Sequence, residues 1–278
     1  MPSDGKITQD SPVHVWIGFD SRESVCSYVA AHTIRKRTDA LLNIQYLKHR
    51  ELRNHGDFAR PWLIDGATGN YMDLIDSKPF STEFSHTRFL IPHLMHYKGW
   101  ALFMDADMIF LSDIKKLFAL RNDKYAVMCV KHNHVPNENI KKMDNRLQQR
   151  YHRKNWSSFV LWNCGHEANR KLTPEVVNFM PGRNLHAFSW LEDSVIGDLP
   201  FTYNYISGVS PHFPKNGMNN MPDVIHYTSG GPWFEENKEV PYAHSWTMEY
   251  ESWQRAGGEL KVSPVPTNLY EVPERIVR

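Results

Sequence analysis

No stretch of this 278-residue chain approaches the roughly 18 consecutive apolar residues that a membrane-spanning helix needs. Neither sign of charge dominates. Lys and Arg number 32 against 31 Asp and Glu, so a net charge of +1 sets up no field that would draw in nucleic acid or a membrane. Cysteine is scarce, and Cys26, Cys129 and Cys164 share no short spacing, which argues against a disulfide framework and against a zinc ribbon. The opening MPSDGKITQDSPV is polar and lacks the apolar core of a secretory signal. Internal repeats and low-complexity segments are missing too. These absences leave a soluble, cytoplasmic protein as the expectation, one able to sit peripherally at a membrane. Oligomeric state is left open. What is present, 41% hydrophobic and 23% charged residues, suits one α/β domain with ample core. Fifteen His and nine Trp are many for this size, but a count alone locates no site.

Hydrophobic patterning divides the chain. Residues 1–12 read as a disordered arm. VHVWIGFD (Val13–Asp20) reads as a strand ending in a carboxylate, and SRESVCSYVAAHTIRKR as a helix capped by Ser21 or Ser24. LLNIQYLK (Leu41–Lys48) is a second strand, followed by a polar connection, Leu52–Asp76. STEFSHTRFLIPHLMHYKG predicts a helix from Ser81 to a stop at Gly99, with Pro92 kinking or breaking it. WALFMDADMIFL is the central strand, DIKKLF a short helix and KYAVMCVKH another strand. This β-α-β-α-β order predicts a mostly parallel central sheet flanked by helices. The later half is less regular: strands at WSSFVLWNCG and DVIHYTSGGPWF, and a short helix leading into a strand at LEDSVIGDLPFTYNYI. The expected organisation is a domain over 13–234, with halves 13–118 and 119–234, and a weakly periodic tail, 235–278, wrapping the surface.

One feature needs a chemical reason. Asp105 and Asp107 stand one residue apart inside an apolar strand-like run, and alternation places both on one face. Like charges that close disfavour each other's ionisation. A hard dication between them relieves the conflict, since Mg²⁺ or Mn²⁺ takes oxygen ligands and fills its shell with substrate phosphates and water. The carboxyl end of a parallel strand is also where ligands bind in open α/β sheets. The plainer alternative is that the two acids end the strand and cap the helix near Asp113.

SHTRFLIPHLMHYKGWALFMDADMIFLSDIKKLF resembles the core of glycosyltransferases of the GT-A fold, particularly family 8. There a helix S/Y-x-x-R-hydrophobic-x-x-P precedes a strand ending in D-x-D, and D-I/L-x-x-L follows. VWIGFDSRE, SSFVLWNCG and DVIHYTSGGPW are similar, in order, to the family's first strand, its NAGVxLxN strand and its late IIHFxGxxKPW turn. The resemblance spans most of Val13–Trp233. It implies a GT-A domain with a nucleotide-binding half (13–118) and an acceptor half (119–234). It further implies a metal-dependent enzyme that moves a sugar, with retention, from a nucleotide sugar of the UDP class to a glycan or lipid-linked hydroxyl. Carried over by position, Asp105, Asp107 and His226 hold Mn²⁺ (or Mg²⁺) on the diphosphate. Arg88 lies near phosphate or ribose, Asp20 with Ser21 and Arg22 near the nucleoside, and Glu192 or Asp193 beneath the anomeric carbon.

Two departures stand out. Family 8 usually has Lys before the late Pro-Trp, and here Gly231 takes that place; an anion nest of Ser229, Gly230 and Gly231 N–H groups, with Arg22 or Lys215 as cation, is the expected substitute. Ser157, Ser158 and Phe159 replace Asn-Ala-Gly, which narrows the room for the donor sugar.

Rival readings use the same residues. FMDADMI also resembles the first motif of haloacid-dehalogenase-type phosphatases, with Asp105 as nucleophile, Asp107 as acid/base and Lys171 neutralising charge. A nucleotidyltransferase, or a nucleotide-sugar binder without catalysis, is a third. The basic clusters RKRTD and RLQQRYHRKNW (Arg146–Trp156) read as solvated faces, so no nucleic acid partner is expected. His132 and His134 in KHNHVPN read as surface histidines.

Overall fold

The structure, a computed structural model, describes residues 11–132, 153, 156–211 and 221–259. Lys215, His134, and Arg146 with most of its basic cluster lie outside these. Strands in chain order are β1 (Val13–Gly18), β2 (Leu42–Leu47), β3 (Trp62–Ile64), β4 (Tyr71–Asp73), β5 (Lys78–Pro79) and β6 (Trp100–Met104). Then follow β7 (Met108–Phe110), β8 (Val127–Cys129), β9 (Phe159–Asn163), β10 (Ile196–Asp198), β11 (Tyr205–Ile206) and β12 (Val224–His226). The helices are α1 (Ser24–Arg35), α2 (His49–His55), α3 (Ile91–Leu94), α4 (Ile114–Phe118), α5 (Pro174–Phe179), α6 (Gly182–His186) and α7 (Ala243–Arg255).

The main sheet runs β10-β8-β9-β6-β1-β2, parallel throughout except for β9. In β1, Val13, Val15 and Ile17 face one way and pack with Ala30, Ala31 and Ile34 of α1. Period-2 alternation in the strand meets a small-residue face on the helix. β6 is buried from Ala101 to Met104, as a central strand should be. The carboxyl ends of β1, β2 and β6 therefore open onto one edge.

The expected central strand is in fact two. β6 ends at Met104 and β7 begins at Met108, so Asp105–Asp107 lie in the turn between them rather than on one face of a strand. The turn is pinned by Asp105 N–H to Ser158 O at 2.9 Å. β7 then joins a second sheet, β11-β12-β7, with Met108 opposite His226.

The helix expected from Ser81 does not form. Turns occupy the first residues, Thr87–Leu90 is a 3₁₀ turn, and α3 covers only four residues. Pro92 is the cause: it lacks the N–H that would bond back to Arg88, so it is tolerated only in a first helical turn.

The segment read as a wrapping tail contains α7, thirteen residues long. Trp246, Tyr250 and Trp253 recur at helical spacing, Trp246 stacked on Tyr250 and Trp253 tilted against it. Glu249 is buried against α1, 2.9 Å from Lys36 and 2.5 Å from Arg37. Burial alone would push this carboxyl up; hydrogen bonds from Arg37 and Lys36 outweigh it and hold it below its ordinary value. A depressed folded value adds stability above the unfolded value, and that stability is lost as pH falls through the folded one. Acidification below about pH 4 is thus expected to loosen α7, and Glu249→Gln to loosen it at neutral pH. Hydrogen exchange across 243–255 checks both.

Candidate active site

The register between β7 and β12 assembles the centre of the site. With Met108 opposite His226 and Tyr227 N–H bonded to Asp107 O at 2.9 Å, the imidazole comes alongside the acidic turn. Ligand atoms of Asp105, Asp107 and His226 all lie within 4.8 Å of one another. Ligands on opposite sides of one Mg²⁺-sized ion stand about 4 Å apart, so the spacing suits a shared cation.

The imidazole supplies a sharper test of fit. His226 is 2% exposed, and its Nδ1 faces Asn204 Oδ1 at 2.9 Å, with the Asn204 amide held by a bond from Nδ2 to Ser158 Oγ. If Nδ1 carries the proton donated to Asn204, the other nitrogen presents a lone pair. That nitrogen, Nε2, is buried without a hydrogen-bond partner and points at Asp107 Oδ1, 3.3 Å away. A nitrogen lone pair aimed at a carboxylate is favourable only with a positive charge between them. The donor set therefore fits a divalent cation, and the His226–Asn204 pair is the kind of outer support that would orient a ligating imidazole.

Arg88 completes one side. It is 5% exposed, stacks near Phe84 and Phe103, and reaches Asp105 Oδ1 at 2.7 Å and Ser157 O at 3.0 Å. A fixed guanidinium beside the acidic turn gives preorganised positive potential.

The turn after β1, expected to meet the nucleoside, holds its acid inward. Asp20 is fully buried: it caps the turn through Arg22 N–H (3.0 Å), pairs with Arg22 through both oxygens (2.9 and 2.7 Å), and accepts from Glu83 N–H. Ser21 donates to Glu83, whose carboxyl is raised by burial first and Asp20 second. Arg22, half exposed, is the group this turn presents. Asp20 acts here as its anchor.

The late turn also departs from the expected nest. Gly230 adopts φ 96°, a left-handed conformation suited to glycine, and spends its N–H on Tyr227 O at 2.8 Å. That removes one of the three N–H groups assigned to an anion. Gly231 has no room for any side chain, since a Cβ there would lie 2.0 Å from the Trp233 ring. Trp233 Nε1 in turn donates to Glu23 Oε2 at 3.2 Å. Burial first, then Asp107 and Asp20, push the Glu23 carboxyl up to about 8.

Glu192 is exposed, and Asp193 opens the 3₁₀ turn before β10 with its carboxylate on Arg153. Arg153 also donates to the carbonyls of Ala187 and Phe188, so it clamps the end of α6. The geometry thus gathers Asp105, Asp107, His226 and Arg88 into one group and gives Asp193 to Arg153. Ser157 donates to or accepts from His186 Nδ1 at 2.7 Å, just behind Arg88.

A second acid–imidazole group, Asp73, Asp76 and His86, also meets the spacing for a metal. It already contains its counter-charge: Arg60, fully buried, reaches Asp73 at 2.9 and 2.7 Å. Burial first, then Arg60, keeps the His86 imidazole neutral.

Sequence reasoning missed Asn204 and Glu23, and it named Ser158 only as a replacement in a motif, not as a support for His226. Asn204 and Ser158 reach the site only through the pairing of the strands that follow them, and Glu23 carried no motif of its own.

A mostly parallel α/β sheet with an acidic turn at the carboxyl edge of a central strand defines a class, and the chain shares that fold with solved glycosyltransferases. It superposes on the apo bifunctional glycosyltransferase WbbM with a TM-score of 0.57 at 16% identity, covering 89% of this chain and 51% of that one. On the galactosyltransferase LgtC, solved with donor and acceptor sugar analogues, the TM-score is 0.54 at 12% identity, covering 87% of this chain and 99% of that one. The model of Glycosyl transferase family 8 matches residues 31–237, and the chain belongs to that family. It is also similar to Protein CDI of Arabidopsis thaliana, 41% identical over 248 residues, covering 89% of this chain and 90% of that protein. The chain is therefore a glycosyltransferase that uses a nucleotide sugar.

The phosphatase reading falls with this. Lys171 lies beyond the carboxyl end of antiparallel β9, next to Tyr97, whose OH donates to Leu172 O. It sits at the opposite edge of the sheet from Asp105 and cannot neutralise charge there. Among the described residues no helix is long and apolar enough to cross a membrane.

Proposed function

We propose that this chain transfers a sugar from a UDP-sugar to a hydroxyl of a glycan or lipid-linked acceptor, with retention, using Mn²⁺ or Mg²⁺ held by Asp105, Asp107 and His226. The observation that carries the metal is the orphaned His226 Nε2, 3.3 Å from Asp107 Oδ1. When bound, the cation supplies Lewis-acid neutralisation of the diphosphate as the glycosidic bond breaks.

The chain's own residues do the rest. Asn204 and Ser158 hold the imidazole tautomer that offers a lone pair. Arg88, fixed by Ser157 O and two aromatic faces, adds positive potential where charge develops. The Asp20-anchored Arg22 meets the nucleotide at the end of β1. Glu192 or Asp193 is the carboxylate for the anomeric carbon. Because Asp193 is engaged by Arg153, it would stabilise positive charge rather than attack, and Glu192 has the freer carboxylate for a nucleophile. A uridine base and retention are supported by the family likeness rather than by any one contact.

A thermal-shift panel of UDP-, GDP-, CDP- and dTDP-sugars, each with and without Mn²⁺, tests the donor and the metal together. UDP-sugars are expected to raise Tm only with Mn²⁺, and EDTA to cancel the rise. Equal shifts without metal, or a larger shift with another base, would contradict the reading.

A further inference from the structure

Glu23 starts α1 yet makes no side-chain cap for it. Its Oε2 instead accepts from Trp233 Nε1 at 3.2 Å. Trp233 packs edge-on to Tyr227, the neighbour of His226, with ring centroids 5.9 Å apart, and lies 5.0 Å from Trp246. Glu23 thus bridges the turn after β1 and the turn after the metal-ligand strand β12. A glutamine would accept the same indole N–H through its amide oxygen. An acid is the odd choice, because burial, Asp107 and Asp20 all disfavour its charge.

Geometry places that acid on the Asp107 side of the cluster. β7 runs along α1, with Phe110 N–H bonded to Thr33 Oγ1 at 3.0 Å. Tyr227, against which Trp233 packs, donates its backbone N–H to Asp107 O at 2.9 Å, which ties the Glu23–Trp233 pair to that side of the cluster. Carboxylates that repel one another in the bare cluster all attract a dication, and a charge need not ligate the ion to help hold it.

We propose that Glu23 is a positioning residue for the cation cluster, and that its carboxylate strengthens divalent-cation binding at Asp105, Asp107 and His226 from outside the ligand shell. This rests on the cation reading given under the proposed function. It goes beyond that reading by assigning affinity to a residue outside the three ligands.

The test is Mn²⁺ titrated into the intact chain without nucleotide, at pH 8.5 under argon, with free Mn²⁺ read by electron paramagnetic resonance. Glu23→Gln keeps an acceptor for Trp233 and removes only the charge. It is expected to raise the Mn²⁺ Kd about tenfold with Tm unchanged. Trp233→Phe removes the hydrogen bond and keeps the charge, and is expected to leave Kd within about twofold. A Glu23→Gln chain that binds Mn²⁺ as tightly as wild type, or a Trp233→Phe chain weakened equally, overturns the inference. A wild-type chain that takes no Mn²⁺ overturns the cluster itself. Wild-type binding that Glu23→Gln weakens, in a chain that releases no UDP from UDP-sugars, upholds the inference while removing the UDP-donor reading.

Discussion

Asp107→Ala is expected to lower the rate of UDP release from a UDP-sugar by about a thousandfold, and Asp105→Ala by a similar factor, with little loss of stability. On the proposed reading each substitution removes a metal ligand, and the diphosphate would lose its counter-charge as the leaving group departs. Stability should hold because both side chains sit in a turn, 16% and 19% exposed, whose fold depends on backbone bonds from Asp105 N–H to Ser158 O and from Tyr227 N–H to Asp107 O. Alanine keeps these. Steady-state assays with saturating Mn²⁺, alongside thermal melts, check both halves of the expectation. Near-normal turnover in either variant would contradict the metal role.

Arg60→Ala is expected to have the opposite profile, a large loss of stability from a residue outside the proposed chemistry. Its guanidinium is fully buried, bonded to Asp73 through two nitrogens and to the carbonyls of Met180 and Val177 at 2.7 and 3.2 Å. Asp76 extends the link by accepting from Gly182 N–H at 2.8 Å, at the start of α6. Removing the cation leaves Asp73 buried and unpaired, a defect of about 3–5 kcal/mol. Urea denaturation should record that loss. Pairing it with Asp73→Leu should recover part of it, since the stranded charge goes too. Additive losses would mean that the pair is not coupled.

The contrast between these two clusters also explains what was legible in the chain. Asp105, Asp107 and Arg88 belong to one contiguous motif, so local order along the sequence was enough to link them. His226 followed from a second motif at the right distance along the chain. The parallel sheet followed from alternating strand and helix patterns. The residues that make the site work are less visible. Ser158 and Asn204 stand in the turns just before β9 and β11, far apart along the chain, and the pairings of β9 with β6 and of β11 with β12 bring them to His226. A one-dimensional pattern carries no register. Arg60 and Asp73 lie in what read as a polar connection, where a buried ion pair leaves no hydrophobic period to detect.

Two errors have local causes. The helix expected from Ser81 was drawn from its apolar spacing, but Pro92 denies it the hydrogen bond that would join its halves. α7 was overlooked because its inward face is Trp, Tyr and a glutamate, and the glutamate is acceptable there only because Lys36 and Arg37, just past the end of α1, neutralise it. Gly231 is a third lesson. Read as a missing lysine, it is a position that Trp233 closes to every side chain.

A crystal soaked with Mn²⁺ and UDP, with diffraction recorded at the manganese edge, examines the account at its root. An anomalous peak bonded to Asp105, Asp107 and His226 Nε2, and shared with diphosphate oxygens, is the predicted result. A vacant cluster with nucleotide bound nearby, or manganese held by Asp73, Asp76 and His86 instead, would contradict it.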